Sequence, residues 1–121
     1  MKKILIVDDE PNIIMSLEYT FKKSNFKVFI ARDGQEALDI LETETPDAII
    51  LDVMMPNVDG YATLTEIKNN KKLNHTKIVF LSAKNKDSDI EKGLSLGANA
   101  YMTKPFSIKK LVEKINELLE K

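Results

Sequence analysis

A chain of 121 residues is the size of one ordinary domain and can bury a core without disulfide or metal staples. A net charge of -1 with 31% charged residues excludes a global electrostatic pull toward nucleic acid or an anionic membrane, leaving only local patches. The absence of cysteine excludes a disulfide scaffold and thiolate metal sites, so a cytoplasmic setting is expected.

The run Ile4-Leu5-Ile6-Val7 follows two lysines as a signal peptide would, but Asp8-Asp9-Glu10 ends it too early for a signal or a membrane span. It predicts a strand over Lys3 to Val7, apolar on both faces. Pro11 suits a helix start, where its missing N–H is unpaired anyway, and Ile13, Ile14, Leu17 and Phe21 mark one face to about Lys23. Lys27 to Ala31 alternates Val28 and Ile30 against Phe29 as a second strand. Asp33 is placed to cap a helix carrying Ala37, Leu38 and Leu41, with no other role expected.

Pro46 closes that helix, and Ala48 to Leu51 is a third buried strand that again ends in acid, at Asp52. After a loop with Pro56 and Gly60, Leu64 and Ile67 mark a third helix, and Asn69-Asn70-Lys71-Lys72 reads as its exit. Lys77 to Leu81 is the fourth strand. A fourth helix over Asp87 to Leu96 puts Ile90 and Leu94 on one face and carries Gly93 at a cost of about 1 kcal/mol. Gly97 suits a positive-φ position after it, and Ala100 to Thr103 is a short fifth strand. Ser107 caps a last helix with Leu111, Ile115 and Leu118 inward. With no linker or repeat, residues 1–121 read as one α/β domain of five βα units around a parallel sheet.

In such a sheet ligands bind beyond the carboxyl ends of the strands. There the first strand delivers Asp8 and Asp9, the third Asp52, the fourth Ser82 and the fifth Lys104. Each acid alone reads equally as a turn or cap residue; Asp9, before Pro11, suits the cap of the first helix. Together three carboxylates repel, each pair by roughly 4 kcal/mol at about 4 Å and an effective dielectric of about 20. A divalent cation removes that penalty, and oxygen donors with no His or Cys nearby point to Mg2+ or a similar hard cation. Lys104 can offset further negative charge and Ser82 can donate a hydrogen bond, which makes a phosphoryl-transfer site. Asp52, alone at the centre of the rim, is the candidate nucleophile and future aspartyl phosphate, with Asp8 and Asp9 as metal holders.

Four motifs in order carry a resemblance that spans the whole chain: Ile6-Val7-Asp8-Asp9-Glu10, Leu51-Asp52-Val53-Met54-Met55-Pro56 with Asp59-Gly60, Leu81-Ser82-Ala83, and Tyr101-Met102-Thr103-Lys104-Pro105-Phe106. The chain resembles the receiver domain of response regulators in two-component signal transduction, including the chemotaxis receivers. The resemblance implies a (βα)5 doubly wound, flavodoxin-like fold with strand order 2-1-3-4-5. It implies phosphotransfer from a histidine kinase or phosphotransfer protein to Asp52, a switch rather than a multiple-turnover enzyme. By the same resemblance Asp9, Asp52 and the backbone carbonyl of Met54 would bind Mg2+, Asp8 would act through water, and Lys104, before a cis Pro105, would pair with the phosphoryl group. Ser82 would draw toward that group while Tyr101 turns inward. The output would be contact with a downstream protein target, not direct contact with nucleic acid or membrane.

Serine stands at position 82 where many members carry threonine, and the hydroxyl donor survives. The resemblance implies that Met54 and Lys84 occupy the positions that flank the path of the hydrolytic water; neither is an amide or carboxylate that orients water, so a comparatively long-lived phosphoryl group is expected. Gly97-Ala98-Asn99-Ala100 lacks the acidic pair that precedes the last strand in receivers with a charge-mediated dimer; a monomer or a weak phosphorylation-dependent dimer is expected. Lys109, Lys110 and Lys114 form a basic stripe that reads as a solvated face, and His75 as an exposed loop residue. The competing readings are a flavin carrier, which lacks its Ser/Thr/Gly-rich loop here; a phosphatase, which lacks an acid at position 54; and a receiver fold without phosphorylation, against which the full residue set stands. If the chain is complete, its output is another protein or a further phosphotransfer step.

Overall fold

The computed structural model describes residues 1–120. Its elements in chain order are β1 (Lys3–Val7), α1 (Pro11–Lys23), β2 (Lys27–Ala31), α2 (Gly34–Leu41), β3 (Ala48–Leu51), α3 (Gly60–Lys68), a 3-10 turn (Lys71–Leu73), β4 (Lys77–Ser82), α4 (Asp87–Ser95), β5 (Ala100–Thr103) and α5 (Ile108–Leu119). The strands form one sheet in the order β2-β1-β3-β4-β5, with all four pairings parallel. This is the expected flavodoxin-like order, and β1 and β3 stand side by side at its centre.

Because successive strand residues face opposite sides, each central strand feeds two cores. Leu5, Val7, Ile49, Leu51, Ile78 and Phe80 pack under α2 and α3, while Ile4, Ile6, Ile50, Val79 and Leu81 pack under α1 and α5. On the latter side Leu17, Phe21, Leu111 and Ile115 are fully buried. At about 25 cal/mol per Å² these apolar contacts are the main stabilising term, and they make the sheet a stiff frame for its ends.

Three details depart from the expectations. Leu94 is 44% exposed; α4 meets the core instead through buried Gly93, where a Cβ would come within 2.9 Å of the Tyr101 ring and 3.0 Å of the Phe80 ring. The helix therefore accepts glycine's propensity cost in exchange for close approach. Asn70 does not simply end α3: its side chain accepts from the Lys72 N–H and starts the 3-10 turn, which buries Leu73. Asp33 caps α2 through the Glu36 N–H as expected, but its second oxygen accepts from Asn57 Nδ2 at 3.2 Å, joining α2 to the β3–α3 loop. Gly97 has φ +113, as its position requires.

The amino ends of the strands are closed by matched polar pairs. The Lys3 N–H donates to the Asp47 carboxylate at 2.8 Å and the Asp47 N–H to the Lys3 carbonyl at 2.9 Å. The Thr76 hydroxyl donates to the Pro46 carbonyl at 2.7 Å. Asn99 spans the start of β4, its N–H donating to the Ile78 carbonyl and its Oδ1 accepting the Ile78 N–H.

Candidate functional site

At the carboxyl ends, the sheet ladder continues one residue past the strands. The Asp8 N–H donates to the Ala31 carbonyl, the Asp52 N–H to the Val7 carbonyl and the Lys104 N–H to the Ser82 carbonyl, at 3.1, 3.0 and 2.8 Å. Backbone bonds therefore fix where these side chains start. Asp8 is 1% and Asp52 3% exposed. Lys104 Nζ, whose side chain is 11% exposed, lies 3.1 Å from Asp8 Oδ2, 3.4 Å from Asp52 Oδ2 and 2.9 Å from Glu10 Oε1. The other oxygen of each aspartate is also engaged: Asp8 Oδ1 accepts the Glu10 N–H at 2.9 Å, and Asp52 Oδ1 accepts the Met54 N–H at 3.2 Å. The Lys104-Pro105 bond is cis.

Burial pushes the carboxyls of Asp8 and Asp52 above the ordinary aspartate range. The Glu10 amide and Lys104 pull Asp8 back, and Lys104 chiefly pulls Asp52 back, without cancelling the rise. Burial alone would lower Lys104, but its bond to Glu10 and the charges of Asp52 and Asp8 hold it above the ordinary lysine range. One ammonium thus faces three carboxylates, and the cluster is short of positive charge.

Carboxylate oxygens of Asp8, Glu10 and Asp52 lie within 4.8 Å of one another. An all-oxygen, net-negative donor set of this kind fits a hard divalent cation such as Mg2+. The sequence reading named Asp8, Asp9 and Asp52 as metal holders and did not name Glu10. Asp8 is buried while Asp9 is exposed, and Asp9 lines a cavity of about 460 Å³ together with Met54, Lys84 and Tyr61. The signal for Glu10 was available: in extended backbone, residues 8 and 10 share a side and residue 9 takes the other, and Glu10 is extended at φ -88, ψ 112. Asp9 does not cap α1, whose N-cap is Glu10 with no side-chain bond.

Ser82 is fully buried and its Oγ accepts the Lys84 N–H at 3.2 Å, while the Lys84 carbonyl accepts the Tyr101 hydroxyl at 2.8 Å. One residue's backbone therefore bridges the serine and the tyrosine. After Asp52 the loop folds back on the strand end: the Gly60 N–H donates to the Val53 carbonyl at 2.9 Å, and a Cβ at Gly60 would run into the Asp52 carbonyl. Met54 is 56% exposed in this loop. On the opposite flank of the rim, Ile13, Pro105 and Phe106 join Glu10, Ala83 and Lys104 around a cavity of about 480 Å³. Among the described residues, no helix is long and apolar enough to cross a membrane. Lys109 and Lys110 are exposed, Lys114 pairs with Glu117 at 3.7 Å, and His75 is exposed.

Residues 4–116 match the family described as the response regulator receiver domain. The chain is 42% identical over 120 residues to the alkaline phosphatase synthesis transcriptional regulatory protein PhoP of Bacillus subtilis (strain 168), covering 99% of this chain and 49% of that protein. The chain thus spans about half the length of that curated relative. Among solved structures it superposes on the Francisella response regulator 1452 receiver domain with a TM-score of 0.91 at 32% identity, covering 99% of this chain and 98% of the other. A BeF3-activated DrrB receiver domain gives a TM-score of 0.91 at 30% identity, covering 100% and 99%.

Proposed function

This chain belongs to the family of response regulator receiver domains, and from that premise we propose that Asp52 is its phosphoacceptor. The observation that carries the reading is Asp52 itself: a 3% exposed carboxylate at the central strand end, 3.4 Å from the Lys104 ammonium and beside a second buried acid. A carboxylate oxygen of Asp52 attacks the phosphorus of a phosphohistidine on a histidine kinase or phosphotransfer protein. The P–N bond breaks and the imidazole keeps the electron pair and takes up a proton. Lys104 balances the added negative charge and holds the phosphoryl oxygens. The chain passes through this step once per signal and is not a multiple-turnover enzyme.

Asp8, Asp52 and Glu10 fit Mg2+ by their chemistry, and the family resemblance adds Asp9 and the Met54 carbonyl as holders. When bound, Mg2+ supplies positive charge that offsets carboxylate repulsion and the charge of the transferring group. Ser82 and Tyr101 form the switch: the serine hydroxyl donates to the phosphoryl group and draws with it the oxygen that accepts the Lys84 N–H, and the change reaches Tyr101 through the Lys84 backbone. The switched surface then meets a downstream protein target, in the cytoplasm, as a monomer or weak dimer. Control of transcription, the role in the name of the Bacillus relative, is one output to which such a contact would lead.

Intact-mass analysis with acetyl phosphate and Mg2+ tests this directly, with a kinase as donor if acetyl phosphate is too slow. The wild type should gain one phosphoryl mass and Asp52→Ala none; a wild type unmodified by either donor would refute the reading.

A further inference from the structure

A second aromatic ring, Tyr61, follows Gly60 at the start of α3. Gly60 packs directly on the Asp52 carbonyl, so the position of Tyr61 is tied to the backbone of Asp52. Tyr61 is 8% exposed and packs edge-on against Phe80 at 5.6 Å, and Phe80 lies 5.6 Å from Tyr101. Its hydroxyl leaves this stack and donates to the carbonyl of Asp89, in the first turn of α4, at 3.0 Å. Lys92, one turn further on, sets its ammonium 4.4 Å from the Tyr61 ring centroid. Asp89 also closes the start of α4, its carboxylate accepting the Lys86 N–H at 3.3 Å.

We propose that Tyr61 is a second positioning residue of the switch, tying the first turns of α4 to the loop that leaves Asp52 through a bond separate from that of its neighbour Tyr101. The two phenols hold different points. Tyr101 holds the β4–α4 loop at the Lys84 carbonyl, and Tyr61 holds the helix itself at Asp89. Gly93 lets α4 lie close enough to the aromatic stack for both bonds to form. Burial and the neighbouring Tyr101 push the Tyr61 phenol up to about 12, so it stays a donor throughout the physiological range. A shift of the backbone at Asp52 therefore has a short path to α4 that bypasses the serine. That α4 responds to Asp52 rests on the phosphoacceptor reading; that α4 is tied to Tyr61 does not.

Tyr61→Phe keeps the ring on Phe80 and under Lys92 and removes only the hydroxyl. Hydrogen exchange is followed in wild type, Tyr61→Phe and Tyr101→Phe, first without metal and then with Mg2+ and beryllofluoride, with fluorine NMR reporting adduct formation. In metal-free Tyr61→Phe the amides of Asp87–Ser95 should exchange about fivefold faster, the equivalent of one ordinary hydrogen bond, with β1, β3 and β4 unchanged. The adduct should still form, with the beryllofluoride-driven change across α4 cut to less than half of wild type. Tyr101→Phe should loosen the loop at Lys84 more than the helix. Wild-type exchange across α4 in Tyr61→Phe, or an equal acceleration in all strands, would overturn the tether. Absence of an adduct in wild type would refute the phosphoacceptor reading instead, and the metal-free exchange would still decide the tether.

Discussion

The two ends of the sheet are built from the same residue types and solve opposite problems. At the amino ends, Asp47 and Asn99 each bond a strand start in both directions, and the Lys3 ammonium meets Glu44 at 3.1 Å. At the carboxyl ends, Asp8, Glu10 and Asp52 share the single ammonium of Lys104. Matched polar pairs serve the fold, whereas an uncompensated cluster is stable only because a rigid frame holds it, and it is poised for an incoming cation or phosphoryl group. The difference marks the candidate site by charge balance, without reference to any motif.

The strongest way to break this contrast is Lys104→Ala, which leaves buried carboxylates with no cation. Denaturant unfolding without metal should show a loss of about 3 kcal/mol, and saturating Mg2+ should restore a large part of it. Asp47→Ala at the other end should cost about 1.5 kcal/mol with or without Mg2+, and leave phosphoryl uptake unchanged in the mass assay. If Mg2+ rescued Asp47→Ala equally, the two ends would not differ in kind.

Asp52→Asn removes one charge from the crowded end and should stabilise the metal-free protein by about 1 kcal/mol at neutral pH, as a substitution that trades function for stability. The pH dependence sharpens this. Burial raises the Asp52 carboxyl, so the folded state binds its proton more tightly than the unfolded chain does. Its contribution is therefore least unfavourable at low pH and worsens as pH rises from about 4, the ordinary aspartate value, through the raised folded value. The stability difference between wild type and Asp52→Asn in EDTA should widen with rising pH across that window, and narrow when Mg2+ is added. Met54→Asn should change stability least, within about 0.5 kcal/mol, because Met54 is largely exposed. It should nevertheless speed loss of the phosphoryl group, since an amide then borders the same cavity as Lys84. An unchanged rate would remove the expectation of a long-lived phosphoryl state.

Most of the frame was legible because strands with apolar residues on both faces and ending in acid leave little choice of architecture. Asp8, Asp52 and Lys104 were legible for the same reason: each directly follows a strand. Glu10 escaped because its partner Lys104 is far away in sequence, and only the in-out alternation after β1 separates it from Asp9. The inward face of α4 was misread because Ile90 and Leu94 are its apolar residues, while the contact is made by Gly93, which carries no hydrophobic signal. Tyr61 escaped because an aromatic residue after a turn glycine reads as ordinary core. Its meaning lies in a hydroxyl whose partner, Asp89, belongs to another helix.

With α4 as the moving part of the proposed switch, Gly93 also bears on rates. Helices usually interlock through side chains, and sliding one past another means lifting knobs out of holes. At its tightest point α4 presents a bare α-carbon to the rings of Tyr101 and Phe80, so no rotamer of its own must change there before it moves. The barrier to repositioning then sits in the rings and the two phenol bonds, and a larger residue at 93 would act as a brake on the kinetics of the switch as well as a wedge in its packing.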